Sequence, residues 1–121
     1  MLIIGHKLLE NYDFFMSNDE LKENMINCFY YDENLINKAK CKNIDFAIII
    51  KNYDELILSN ALGAKFILIE DISLALQASK IAEFYMFDSK VLLIIDELKN
   101  LNDIYELRLD GVLLKSKLFN A

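Results

Sequence analysis

The feature that most constrains this chain is a set of short runs that are apolar at every position, separated by helix-length amphipathic stretches. The runs are Cys28–Tyr31, Phe46–Ile50, Phe66–Ile69, Val91–Ile95 and Val112–Leu114. Alternating apolarity would mean a strand with one wet face. Unbroken apolarity over four or five residues means a strand covered on both faces, as in parallel sheets. Between the runs lie helix patterns at Glu33–Lys42, Tyr53–Leu62, Ile72–Met86 and Glu97–Leu107. Gly63 follows the second of these as a natural stop. Strand–helix alternation with short joints predicts parallel strands linked by right-handed crossovers.

The first 26 residues are less regular. Leu2–Ile4 reads as an edge strand, and Ser17-Asn-Asp-Glu20 has the spacing of a capping box opening a short helix through Met25. The aromatics Tyr12, Phe14 and Phe15 must pack over the sheet or against a partner chain. No linker or low-complexity stretch divides the chain. One α/β domain over residues 1–121 is expected, with 1–26 as an irregular addition to the strand–helix units of 27–121. The fold class this predicts is a three-layer α/β/α sandwich with a mostly parallel five-stranded sheet in flavodoxin-like order 2-1-3-4-5. Half of a (β/α) barrel is the alternative, since 121 residues fall short of the roughly 250 of a full barrel.

Composition narrows the function classes. A net charge of −6 with Arg108 as the only arginine lacks the basic footprint of nucleic-acid binders. No apolar run approaches the roughly 20 residues of a membrane span. The amino terminus sets its apolar residues before its first positive charge, the wrong order for a secretory signal, so a cytoplasmic location is expected. Cys28 and Cys41, thirteen positions apart, then read as two reduced thiols. The absence of Pro and Trp and the preference for Lys over Arg lead to the expectation of an AT-rich bacterial genome as the source.

In parallel sheets, ligands bind beyond the carboxyl ends of the strands. The residues there form the candidate site: Asp32 with Glu33, Lys51 with Asn52, Glu70 with Asp71, Asp96 with Glu97, and Lys115 with Ser116. Carboxylates and lysines on one rim could orient a phosphate or hold Mg²⁺. The candidate ligand-binding set is Asp32, Lys51, Glu70, Asp71, Asp96 and Lys115. Asp32, Asn52, Asp71 and Asp96 each precede a helix pattern, and helix capping explains them without chemistry. Asn52-Tyr-Asp-Glu55 mimics a capping box. His6, the only histidine, has no nucleophile at a telling spacing. Phe84, Tyr85 and Phe87, at the end of the longest helix pattern, read as core or interface. Neither Gly-x-Gly-x-x-Gly nor a phosphate-cradling Gly-Lys-Ser/Thr loop occurs.

From Asp32 to Lys115 the layout resembles the receiver domains of bacterial two-component systems. Asp32-Glu33 matches that family's acidic pair, Glu70 or Asp71 falls near its phospho-acceptor, and Leu109 to Lys115 is similar to the segment ending in its lysine. Asp96 stands where the family has Ser or Thr, so the resemblance implies a receiver-like domain that does not signal by phosphorylation. The stretches Asn60–Leu68 and Asp110–Leu114 resemble the helix–Gly–strand joints of phosphate-binding barrels. The whole is similar to small α/β proteins of AT-rich bacteria. These readings lead to an expected non-catalytic interaction or regulatory domain, able to self-associate or bind a protein partner, with no cofactor. The competing expectation is a ligand binder or enzyme using the carboxylate–lysine rim.

Overall fold

The computed structural model describes residues 1–9 and 12–119, with the side chain of Phe119 left out. The strands are β1 (Leu2–Ile4), β2 (Phe14–Met16), β3 (Ile26–Tyr30), β4 (Phe46–Ile50), β5 (Phe66–Ile69), β6 (Lys90–Ile95) and β7 (Gly111–Leu114). The helices are α1 (Glu33–Cys41), α2 (Tyr53–Ala61), α3 (Ala75–Phe84, preceded by a 3-10 turn at Ile72–Leu74), α4 (Leu101–Tyr105) and α5 (Lys115–Phe119). All seven strands join one sheet in the order β1-β7-β6-β5-β4-β3-β2, and every pair is parallel.

That order corrects the expected sandwich. Strands β2 to β7 lie side by side in chain order, so the sheet winds in one direction and never reverses as 2-1-3-4-5 requires. Right-handed crossovers then deliver successive helices to the same face. Buried Leu35, Ile36, Leu56, Ala78 and Ile104 of α1 to α4 all pack into one cluster with Phe29, Ile48, Ile50, Ile67, Leu93 and Val112. The opposite strand positions form a second cluster that holds Ile4, Phe14, Cys28, Ile49, Phe66, Leu68, Leu92 and Leu113, with Leu118 of α5 added.

Curvature, not a second helix layer, buries that face. In a flat sheet β2 and β5 would lie about 14 Å apart, three strand spacings. The Phe14 and Phe66 rings nevertheless meet at 5.7 Å, and Tyr12 meets Phe66 at 5.1 Å. The sheet is curled into a half-barrel, with β1 and β2 as its two margins. Helix α5 packs against both β7 and β2.

Among the described residues the sheet has seven strands rather than the expected five. The predicted edge strand Leu2–Ile4 is present as β1. Strand β2 takes Phe14 and Phe15 from the amino-terminal aromatic cluster. The helix expected over Ser17–Met25 does not form. Ser17 Oγ donates to the Glu20 carbonyl, but Ser17 N–H donates to the Cys28 carbonyl at 2.8 Å and so belongs to the β2–β3 ladder. Buried Asn27 then clamps the turn, accepting from Lys22 N–H at 2.8 Å and donating to the carbonyls of Lys22 and Met25 at 2.8 and 3.1 Å. Among the described residues no helix is long and apolar enough to cross a membrane.

The three longest helices end alike. Beyond α1, α2 and α3 the chain turns through Asn43 (φ 56°), Gly63 (φ 91°) and Met86 (φ 52°). At each end the next N–H reaches back to close a Schellman motif: Ile44 to Ala39, Ala64 to Ser59 and Phe87 to Ala82, at 2.9 to 3.0 Å. Asn and Gly suit the left-handed region that this turn demands. Methionine does not.

Candidate functional site

The rim residues at the carboxyl ends of the strands are divided among several separate contacts. Asp32 accepts from the N–H groups of Asn34 and Leu35 at 2.9 and 3.2 Å and caps α1. Its neighbour Glu33 accepts the Tyr31 hydroxyl at 2.7 Å, and that bond pushes the phenol up to about 12. Asn52 caps α2 by accepting from Glu55 N–H, while the Glu55 carboxylate reaches back to Lys51 N–H at 2.8 Å. Asp71 caps the 3-10 turn, accepting from Ser73 Oγ at 2.7 Å and Ser73 N–H at 3.0 Å. Those two bonds hold its carboxyl below the usual range.

Asp96 departs from the capping reading. The helix after β6 starts at Leu101 rather than Glu97, its N-cap is Asn100, and no side chain caps it. Asp96 is exposed and forms no hydrogen bond or ion pair within the described residues. Lys115 is exposed at the first position of α5.

Three rim residues do converge. The Tyr30 hydroxyl donates to both Glu70 carboxylate oxygens, at 3.0 and 3.1 Å, and the Lys51 ammonium lies 5.0 Å from the centre of the Tyr30 ring. Desolvation, followed by the Glu70 contact, raises the Tyr30 phenol. Beside them a cleft of about 600 Å³ runs from Glu70 and Asp96 to Ile104 and Leu107 of the α4 segment. Charges in it are mostly negative, and its lysine, Lys99, is paired with Glu97 at 3.0 Å. No three His, Cys, Asp or Glu side chains of the described residues come together as a metal site. Cys28 lies buried below the rim, and desolvation, with Glu70 nearby, pushes its thiol well above the ordinary range. Cys41 is exposed.

The opposite, amino-terminal end of the sheet carries a different kind of surface. A groove of about 580 Å³ runs between the end of α3, with Glu83 and, just beyond the helix, Met86, and the end of α4, with Tyr105 and, just beyond the helix, Arg108. Next to it Phe84 and Tyr85 project as an edge-to-face ring pair at 4.9 Å, and Phe84 is 77% exposed. The Arg108 guanidinium lies 5.2 Å from the centre of the Tyr105 ring. Such a concentration of Phe, Tyr, Met and Arg is typical of interface cores rather than of ordinary surface.

Backbone conformation singles out the same place. Among the described residues five non-glycine positions have positive φ: Asn24, Asn43, Met86, Asn100 and Arg108. Three are asparagines, which tolerate the left-handed region. The two that do not, Met86 and Arg108, both line the groove. The aromatic triplet is visible in the sequence, but the strain is not. It requires knowing where α3 and α4 stop.

The chain matches no family model, no curated protein and no solved structure.

Proposed function

We propose that this chain is a non-catalytic interaction domain that meets its partner at the surface formed by the end of α3 and the segment after α4. The observation that carries this reading is the placement of Met86 and Arg108. A non-glycine residue in the left-handed region costs about 1–2 kcal/mol, and such strain gathers where function requires it. Two disfavoured residues on one groove, beside an exposed ring pair, fit a surface kept for contact rather than for folding. At the rim, by contrast, Asp32 and Asp71 are occupied with helix caps, and Glu70 with Tyr30.

The test has two arms. Replacing Phe84 and Tyr85 by serine is expected to leave the unfolding free energy within about 0.5 kcal/mol of the parent, as for surface side chains without a folding role. Thermal-shift titrations with Mg²⁺, inorganic phosphate and nucleotides are expected to leave the midpoint unchanged. A loss of stability of core size in the serine variant would overturn the reading. So would a saturable stabilisation that Lys51→Met removes.

One observation favours a second reading, a small-ligand site. The cleft of about 600 Å³ beside Glu70 and Asp96 has the size of a ligand pocket and lies where parallel α/β folds bind ligands. The same titrations decide it.

A further inference from the structure

Resting on the interaction reading, we propose that the partner is a second copy of this chain, docked about a two-fold axis through the α3 knob. A two-fold interface requires one surface to be complementary to itself. Here knob and groove are contiguous: Glu83 and Met86, which line the groove, flank Phe84 and Tyr85, which form the knob. The knob of each copy enters the groove of the other.

Charge supports the same occupant. The whole chain carries −6, so two copies repel over most of their surface. On this surface the one arginine, Arg108, lines the same groove as Glu83, and within the described residues neither forms an ion pair. A two-fold axis brings Glu83 of each copy to Arg108 of the other and makes both pairs at once. The second groove carboxylate, Asp110, is already engaged by Val91 N–H at 2.8 Å.

The area suits a weak dimer. Phe84 and Tyr85 are 77% and 62% exposed, so roughly 200–350 Å² of the two rings is left for a partner to cover. The groove walls that receive the partner's knob contribute a similar area, so the two copies together bury about 1,000 Å², the lower end of specific interfaces.

Sedimentation equilibrium from micromolar to millimolar concentration tests this. The mass is expected to rise from one chain to two and to stop there. Glu83→Arg or Arg108→Glu alone is expected to weaken the dimer about tenfold, and the combined swap E83R/R108E to restore it, because the reversed pairs form again across the axis. Phe84→Ser, which alters only an exposed side chain, is expected to abolish the dimer without changing the circular-dichroism melting midpoint of the single chain. A mass of one chain at every concentration overturns the second-copy inference but leaves the interaction reading to its own two-arm test. Growth beyond two chains, or a swap that fails to restore the dimer, overturns the two-fold arrangement.

Discussion

Replacing Met86 by glycine should stabilise the fold. Met86 occupies the left-handed position that closes the Schellman motif of α3, the position held by Asn43 after α1 and by Gly63 after α2. A side chain there costs about 1–2 kcal/mol relative to a relaxed residue. Glycine removes that cost but loses about 0.5–1 kcal/mol through the greater freedom of the unfolded chain. Little else changes. Met86 is 85% exposed, so deleting its side chain gives up little apolar burial, and the bonds that close the turn are backbone bonds that glycine keeps. The balance is a gain of about 0.5–1 kcal/mol, which in a domain of this size raises the melting midpoint by roughly 2–5 °C. The assay is urea and thermal denaturation at a concentration where only single chains are present, so that association does not add to the apparent stability. Gly63→Met is the mirror experiment and should lower stability by about 0.5–1 kcal/mol. An unchanged or lowered midpoint for Met86→Gly would refute the claim that the fold tolerates strain at this groove.

Other outcomes follow from the same structure. Gly111→Ala should detach the margin of the half-barrel. A Cβ there would collide with the Leu2 carbonyl oxygen, a backbone clash that no rotamer relieves, and losing the burial of Ile4 alone costs about 1.5–3 kcal/mol. Hydrogen exchange should then show Leu2–Ile4 unprotected while β4 and β5 stay protected. Cys41 should react with a thiol reagent in the folded state, and Cys28 only on unfolding, since burial raises its thiol; equal labelling rates would contradict the buried position of Cys28. Ser73→Ala should move the Asp71 titration, followed by carboxyl NMR, back up towards the ordinary value. Because the folded carboxyl is held low, its contribution to stability is present above the unfolded value of about 4 and is lost as pH falls through the lowered one. The variant should therefore lose the steepest part of its stability change at the acid end. Among the described residues Ser59 Oγ is buried without a partner, so Ser59→Ala should raise stability by about 1–3 kcal/mol, checked by urea denaturation.

Local chemistry is legible in the residue order itself. The five apolar runs form β3 to β7, and the stretches between them form α1 to α4, because propensity, periodicity and stop residues such as Gly63 act over a few neighbours. The caps at Asp32, Asn52 and Asp71 are readable for the same reason, since an N-cap bonds to an N–H two or three residues away. Asp96 fails that reading because α4 begins four residues later than its apolar spacing suggests.

Tertiary structure decided the rest. Apolarity at every strand position shows that both faces are buried, but not what buries them. A second helix layer and a curled sheet ask for the same residues, and contacts across the curl, such as that of Phe14 with Phe66, distinguish them. Three-residue β2 carries too little pattern to announce itself and exists because β3 pairs with it. The candidate interface is half visible in sequence: the rings of Phe84 and Tyr85 stand out as a cluster, whereas the strain at Met86 and Arg108 depends on where two helices end and how the chain turns between them. Sequence acts through neighbours along the chain and so set the elements. Curvature, strand order and the juxtaposition of Glu83 with Arg108 join residues far apart in sequence, and only the packed sheet brings them together.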